Sequence, residues 1–263
     1  MSPPPSRMGR RPMGELEFRL LDEHSFEEIP APAAPGARCQ TCDYWERLDG
    51  SRSAPEAEPR DAAARAALKR SRLLAGRAVA GAYAMLAHRT DAVDRVAVGY
   101  AQFGPLSAYP RAQVIRDRYP ELPESPAPWI VTCLQVIPGS DATERHEASI
   151  ELLQAVCDEL DRRGITAVEA YPEGLGEAWE PSPGPASVYE AAGFQRAAGD
   201  QRFPVYRREL AGETDPDAWS ELLRAAKPDE GDDWPLPLPA RDEDDFFRLP
   251  TEKPKRPNPF GED

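Results

Sequence analysis

Cys39-Gln-Thr-Cys42 has the C-x-x-C spacing of half a tetrahedral zinc site, and the chemistry such a pair offers is metal binding or thiol redox. A structural zinc needs four ligands, yet no second Cys or His pair follows at a suitable distance and His24 is the only nearby histidine. We read a loop that binds no metal and whose Cys, Tyr44 and Trp45 pack together. The three histidines, at 24, 88 and 146, are too scattered to suggest a nucleophile triad. No G-x-S-x-G or G-x-x-x-x-G-K-[ST] element appears, so hydrolase and nucleotide-triphosphatase readings lose support. Two side chains remain. Glu169 alternates with Val168 and Ala170, which on a strand turns its carboxylate to the face opposite those two. Tyr189 stands in Pro-Ala-Ser-Val-Tyr-Glu-Ala-Ala-Gly, where it is either a packed aromatic on an amphipathic helix or a phenol able to give a proton.

The elements that would hold these groups follow from periodicity. Leu16 to Leu21 alternates as a first strand, and Pro59 and Asp61 open an Ala/Leu/Arg-rich helix that runs to about Leu74 and is closed by Gly76. The segments 77–86 and 94–103 read as two strands joined by a short polar turn. A Pro- and Arg-rich stretch, 104–128, carries Tyr109, Arg111, Arg116, Arg118 and Tyr119 as a lid, a source of cations or a solvated loop. The most apolar run in the chain, WIVTCLQVI (129–137), predicts a central strand. From about Glu144 to Arg163, Ile150, Leu153, Val156, Cys157 and Leu160 recur at helical spacing, with Gly164 at the end. ITAVEAY (165–171) is then a strand, and a strand-helix-strand order over so short a span implies a parallel pair. A short helix at 185–193 and a last strand pair ending in 202–210 follow. No repeat of 20 to 50 residues is present, which removes solenoids and propellers.

Composition sets the limits of the folded part. The chain has 263 residues, 30 prolines and a mean hydropathy of −0.62, too polar and too broken for one compact fold from end to end. Residues 1–14 carry three arginines and no acid, and are expected to be a disordered basic arm. Residues 211–263 hold fifteen acids against seven bases, with nine prolines, and are expected to be a largely disordered tail. Within it, 217–226 and 244–250 could dock a protein partner. Residues 15–210 are left as the domain. A net charge of −14 argues against a nucleic-acid binder. No apolar run approaches the roughly 20 residues that span a bilayer, so neither a membrane span nor a secretory signal is read, and a cytoplasmic location is expected. Four cysteines are too few for a disulfide scaffold, and Cys133 and Cys157 fall in apolar patterns typical of buried thiols.

Two pieces of the chain resemble the GNAT acyltransferase superfamily: WIVTCLQVIP with the helix and strand that follow it, and GPASVYEAAGF, where a tyrosine stands four residues before a Gly-Phe pair. The resemblance runs from Leu16 to Leu210. It implies an α/β fold of the α+β kind, a mixed, mostly antiparallel sheet flanked by helices and splayed into a V between its fourth and fifth strands. Acetyl-CoA would lie in that V as cosubstrate, its pantetheine arm bonding the open backbone of Leu134, Gln135 and Val136 as another strand would. An N–H near Val136 would stabilise the thioester oxygen. The pyrophosphate would meet the next helix at a loop that in the family reads Q/R-x-x-G-x-G/A. Here Glu144, Arg145, His146, Glu147, Ala148 and Ser149 occupy those six places, so both glycines are replaced.

By the same resemblance Tyr189 is the acid that protonates the departing thiolate, Glu169 a general base acting directly or through a water, and Trp45 and Glu46 contacts of the substrate amine. The implied activity is N-acetyl transfer to a primary amine by direct attack. An acidic domain favours a cationic small-molecule amine or a Lys-bearing peptide as the acceptor. The competing reading keeps the fold but makes the chain a catalytically weak or inactive binding module, because of the altered loop.

Overall fold

The computed structural model describes residues 15–31, 38–47, 61–90, 96–137, 142–172, 183–201 and 204–212. The expected arm at 1–14 lies outside them, as does the expected tail from 213 onward.

Seven strands form one sheet: β1 (Leu16–Leu20), β2 (Ala84–Arg89), β3 (Ala97–Pro105), β4 (Trp129–Val136), β5 (Ala167–Ala170), β6 (Gln195–Ala198) and β7 (Val205–Glu209). Their spatial order is β1-β2-β3-β4-β5-β7-β6. Every neighbouring pair is antiparallel except β4 and β5, which run parallel. The parallel pair exists because a helix, α4 (Ala142–Arg162), separates the two strands in the chain and carries it back to the starting end. This is the mixed, open sheet that the resemblance implies.

Helix α4 is placed by its apolar stripe. Leu152, Leu153, Val156, Cys157 and Leu160 are all buried against one face of the sheet, together with Val131, Val168 and Tyr189. Burying each such leucine contributes about 1.5–3 kcal/mol. The helix stops at Gly164, whose φ of 77° a side chain would resist. There the N–H of Ile165 donates to Leu160 O at 3.0 Å and that of Gly164 to Asp161 O at 2.8 Å, a Schellman closure that turns the chain into β5.

On the other face lie α1 (Ala62–Leu74) and α3 (Pro110–Arg116), over Leu21, Phe26, Trp45, Tyr100, Ile130 and Cys133. Asp61 caps α1 by accepting from the Ala63 N–H at 3.1 Å. The stretch 104–128, expected as an irregular insertion, contains α3 with Ala112 buried beneath it. The segment 77–86 departs from its expected strand. Arg77–Ala80 form a short helix, α2, ended by Gly81 at φ 75°, and β2 starts only at Ala84. Arg-Ala-Val-Ala lacks the period-2 alternation of a strand, so the Gly76 and Gly81 bounds decide. Short helix α5 (Ala186–Ala191) packs against α4.

Candidate active site

Among the described residues the sheet opens between β4 and β5. β5 pairs with β4 at Trp129↔Val168, Ile130↔Glu169 and Val131↔Ala170, and β5 then ends while β4 continues to Val136. On the other edge of β4, Gln102 pairs with Cys133 and Phe103 with Val131, which leaves Thr132 as an extra residue, a bulge beside the last β4–β5 pair. A bulge bends and twists its strand, and this one falls where the described β4–β5 pairing ends at Val131↔Ala170. Leu134, Gln135 and Val136 hold their β3 partners Ala101, Tyr100 and Gly99 along this stretch. Among the described residues the chain comes beside this stretch at Gly184, where a Cβ would lie 3.6 Å from both Leu134 O and Leu134 Cδ2.

Glu144 to Ser149 sit inside α4, which already starts at Ala142. The positive end of its dipole is therefore the turn Ala142–Arg145, ahead of most of the six expected positions. Ala148 is buried in the core, Ser149 donates its hydroxyl to Arg145 O at 2.8 Å, and Glu147 is exposed. His146 and Arg145 are half-buried on the same first turns.

Tyr189 is fully buried in α5, edge-on to Phe194 at 5.2 Å between centroids. Its hydroxyl donates to Pro183 O at 2.5 Å. Pro183 adjoins Gly184, so this phenol and Leu134 come together beside β4.

Glu169 lies on the other face of the sheet and is fully buried. Arg207 Nη1 donates to its Oε1 at 2.7 Å and Arg116 Nε to its Oε2 at 3.0 Å. Both carboxylate oxygens are thus held by guanidinium groups, one from β7 and one from α3. The sequence did not single out Arg207, and Arg116 stood among several cations of the insertion with no partner named. Alternation in β7 puts Arg207 opposite buried Tyr206, but only the β5–β7 register sets it against Glu169.

Trp45 and Glu46 cover that same face. Trp45 is buried, stacked on Tyr171 at 6.2 Å between centroids with 22° between planes. Glu46 Oε1 accepts from Lys69 Nζ at 2.5 Å and from Gln102 Nε2 at 3.0 Å, while Lys69 also donates to Gln102 Oε1 at 2.7 Å. Tyr100 completes the cluster by donating to Gln102 Oε1 at 3.1 Å. Burial alone would lower the Lys69 pKa, but the Glu46 charge outweighs it, so the ammonium persists above the ordinary lysine range. Burial pushes the Tyr100 and Tyr109 phenols and the Cys133 thiol well up. The helical spacing of Ala66, Lys69 and Leu73 marked Lys69 as lying on the inner face of α1, a signal present in the sequence. Cys39 and Cys42 are free thiols, and no group of three His, Cys, Asp or Glu able to hold a metal occurs among the described residues. Within the described residues no helix is long and apolar enough to cross a membrane.

No protein-family model matches the sequence, and no curated protein sequence matches it. Several solved structures are similar in fold. The C-terminal condensation domain of Ebony, solved in complex with beta-alanyl-dopamine, aligns with a TM-score of 0.48 and 10% identity over 75% of this chain and 100% of that one. Mosquito arylalkylamine N-acetyltransferase like 5b aligns with a TM-score of 0.43 and 11% identity, over 74% and 100%. The yncA protein of Salmonella typhimurium, solved with its cofactor acetyl-CoA, gives a TM-score of 0.40 and 15% identity, over 77% and 98%.

Proposed function

We propose that this chain is a cytoplasmic N-acetyltransferase that moves an acetyl group from acetyl-CoA to a primary amine by direct attack. The observation that carries the reading is the opening of the sheet: three β4–β5 pairs, a bulge at Thr132, and a strand that runs on to Val136 beside the gap. Strand backbone at such a gap suits an extended, amide-bearing arm, which pairs there as an added strand would.

In the proposed reaction the amine nitrogen bonds to the thioester carbonyl carbon and the C–S bond breaks. The sulfur leaves as thiolate and takes a proton from Tyr189, while the amine gives up its extra proton to solvent. An N–H near Val136 stabilises the charge that gathers on the carbonyl oxygen. The first turn of α4, with Arg145 and His146, faces the pyrophosphate, and Glu144 and Glu147 oppose it. Leu134, Gln135, Val136 and the first turn of α4 with Arg145 and His146 thus hold the cosubstrate. Glu169, fully buried and held at both oxygens by arginines whose charge favours its ionised form, acts in this reading as a brace rather than a base.

Calorimetric titration of the full chain with acetyl-CoA tests the proposal. A Kd of micromolar order is expected. No heat at millimolar acetyl-CoA would leave the fold without the activity and favour a binding module.

A further inference from the structure

Cys39 and Cys42 take no part in the proposed transfer, yet the fold brings them together. Cys39–Thr41 form a 3-10 turn in which the Thr41 N–H donates to Arg38 O at 3.1 Å and the Cys42 N–H to Cys39 O at 3.3 Å. Side chains three residues apart in such a turn project from the same side, and the second bond holds the two Cα atoms within about 7 Å. A disulfide spans Cα separations of about 4.4–6.8 Å, so the pair stands in range of one without a rearrangement of the backbone. The turn is also fixed from outside. Gln40 donates its amide to Phe26 O at 3.4 Å and to Glu27 O at 3.3 Å, and Thr41 Oγ1 donates to Arg38 O at 3.4 Å. Both thiols are half-buried and reachable by a small solute, while Cys133 and Cys157 are enclosed.

We propose that Cys39 and Cys42 form a reversible disulfide within the chain, with a small-molecule disulfide of the glutathione kind as the oxidant. The Cys39 thiolate attacks one sulfur of the oxidant, which forms a mixed disulfide and releases one thiol. The Cys42 thiolate then attacks the Cys39 sulfur, closing the S–S bond of the protein and releasing the second thiol. Two protein thiols thus lose two electrons and two protons, and the S–S bond of the oxidant is reduced to two thiols. The order of attack follows from the surroundings. Burial pushes the Cys42 thiol up, against the pull of the nearby Lys69 ammonium. It is therefore slow to attack a solute, but it is held beside the Cys39 sulfur once that sulfur is activated. The turn leads directly into Tyr44, Trp45 and Glu46, so the bond ties down the start of the segment that covers the Glu169 face. In a cytoplasm the dithiol is the resting state and the disulfide forms under oxidising conditions.

The full chain, reduced and then incubated with oxidised glutathione, should lose two hydrogens in intact-protein mass. Peptide mapping should place the bond between Cys39 and Cys42, and dithiothreitol should restore both thiols. In mixtures of the two glutathione forms, the oxidised fraction should vary with the square of the reduced concentration divided by the oxidised one, as for a bond within the chain. Cys42→Ser should stop at a stable glutathione adduct on Cys39, and Cys39→Ser should react about tenfold more slowly than the wild type. The reverse pattern in the two variants overturns the order of attack. The oxidised wild type should melt a few degrees higher, because the bond constrains the unfolded chain. A lasting glutathione adduct on the wild type, a bond to Cys133 or Cys157, a link between two copies, or no reaction overturns the disulfide. These wild-type masses decide the matter even where a variant fails to fold, and they need neither acetyl-CoA nor turnover.

Discussion

Glu169 shows how a residue type leaves its role open. A carboxylate on a strand beside the candidate cleft suits a general base, yet here both oxygens are taken by Arg116 and Arg207 in a site with no exposure. Removing one member of a buried ionic cluster strands the others without compensation, which typically costs 3–5 kcal/mol. Glu169→Ala should therefore lower unfolding free energy by about that amount in urea titration. A base would behave differently: its loss would cut kcat and remove the acidic limb of the pH–rate profile while stability stayed put. Tyr189 and Glu46 are also residues whose type allowed several roles, and whose partners, Pro183 O for one and Lys69 with Gln102 for the other, narrow them.

Elements position the site through two features, the bulge and the close seat of α4. Thr132 is one residue too many for the β3–β4 ladder, and it falls level with the end of β5, so the gap is built into the length of β4. α4 in turn lies hard against β3. A Cβ on Gly99 would meet Ala87 Cβ at 3.1 Å and Leu152 Cδ2 at 3.2 Å, tighter than ordinary packing. Gly99 also pairs with Val136, the residue nearest the expected thioester oxygen. Gly99→Val should destabilise the fold by about 1–3 kcal/mol, the usual cost of overpacking, seen as a lower urea midpoint. It should also weaken acetyl-CoA binding, because helix and strand can relieve the clash only by moving apart at the site.

At the scale of the whole molecule, the buried acids matter most for pH. Burial pushes Tyr100, Tyr109, Tyr171 and Cys133 upward and moves the Cys157 thiol to about 12. In the unfolded chain these groups ionise from about pH 8.5 for thiols and about 10 for phenols. Folding thus favours their neutral forms. Stability contributed in this way is intact below pH 8.5 and falls as pH rises through the unfolded values, by about 1.4 kcal/mol per pH unit for each group not yet ionised in the fold. Urea unfolding at pH 8 and at pH 10.5 should show a marked drop. A flat profile across that interval would mean that these side chains reach solvent.

Much of the architecture was legible in the sequence because it rests on local periodicity. The 129–137 run, the stripe of α4 with its Gly164 stop, and the alternation at Val168-Glu169-Ala170 each state their element and their inner face without help from distant residues. The expected strand at 77–86 failed for a local reason too, since a short Ala-rich segment has no decisive period. What no local pattern carries is who meets whom across the sheet. The extra residue at Thr132 is defined only by its register against Gln102 and Phe103. The arginines on Glu169 come from positions 116 and 207, and Lys69 reaches Glu46 and Gln102 from a separate helix. The sequence determined which elements form and which sides they bury, because those follow from spacing along one segment. Tertiary structure alone decided where the sheet opens and which buried charges pair, because both depend on the registration of strands far apart in the chain.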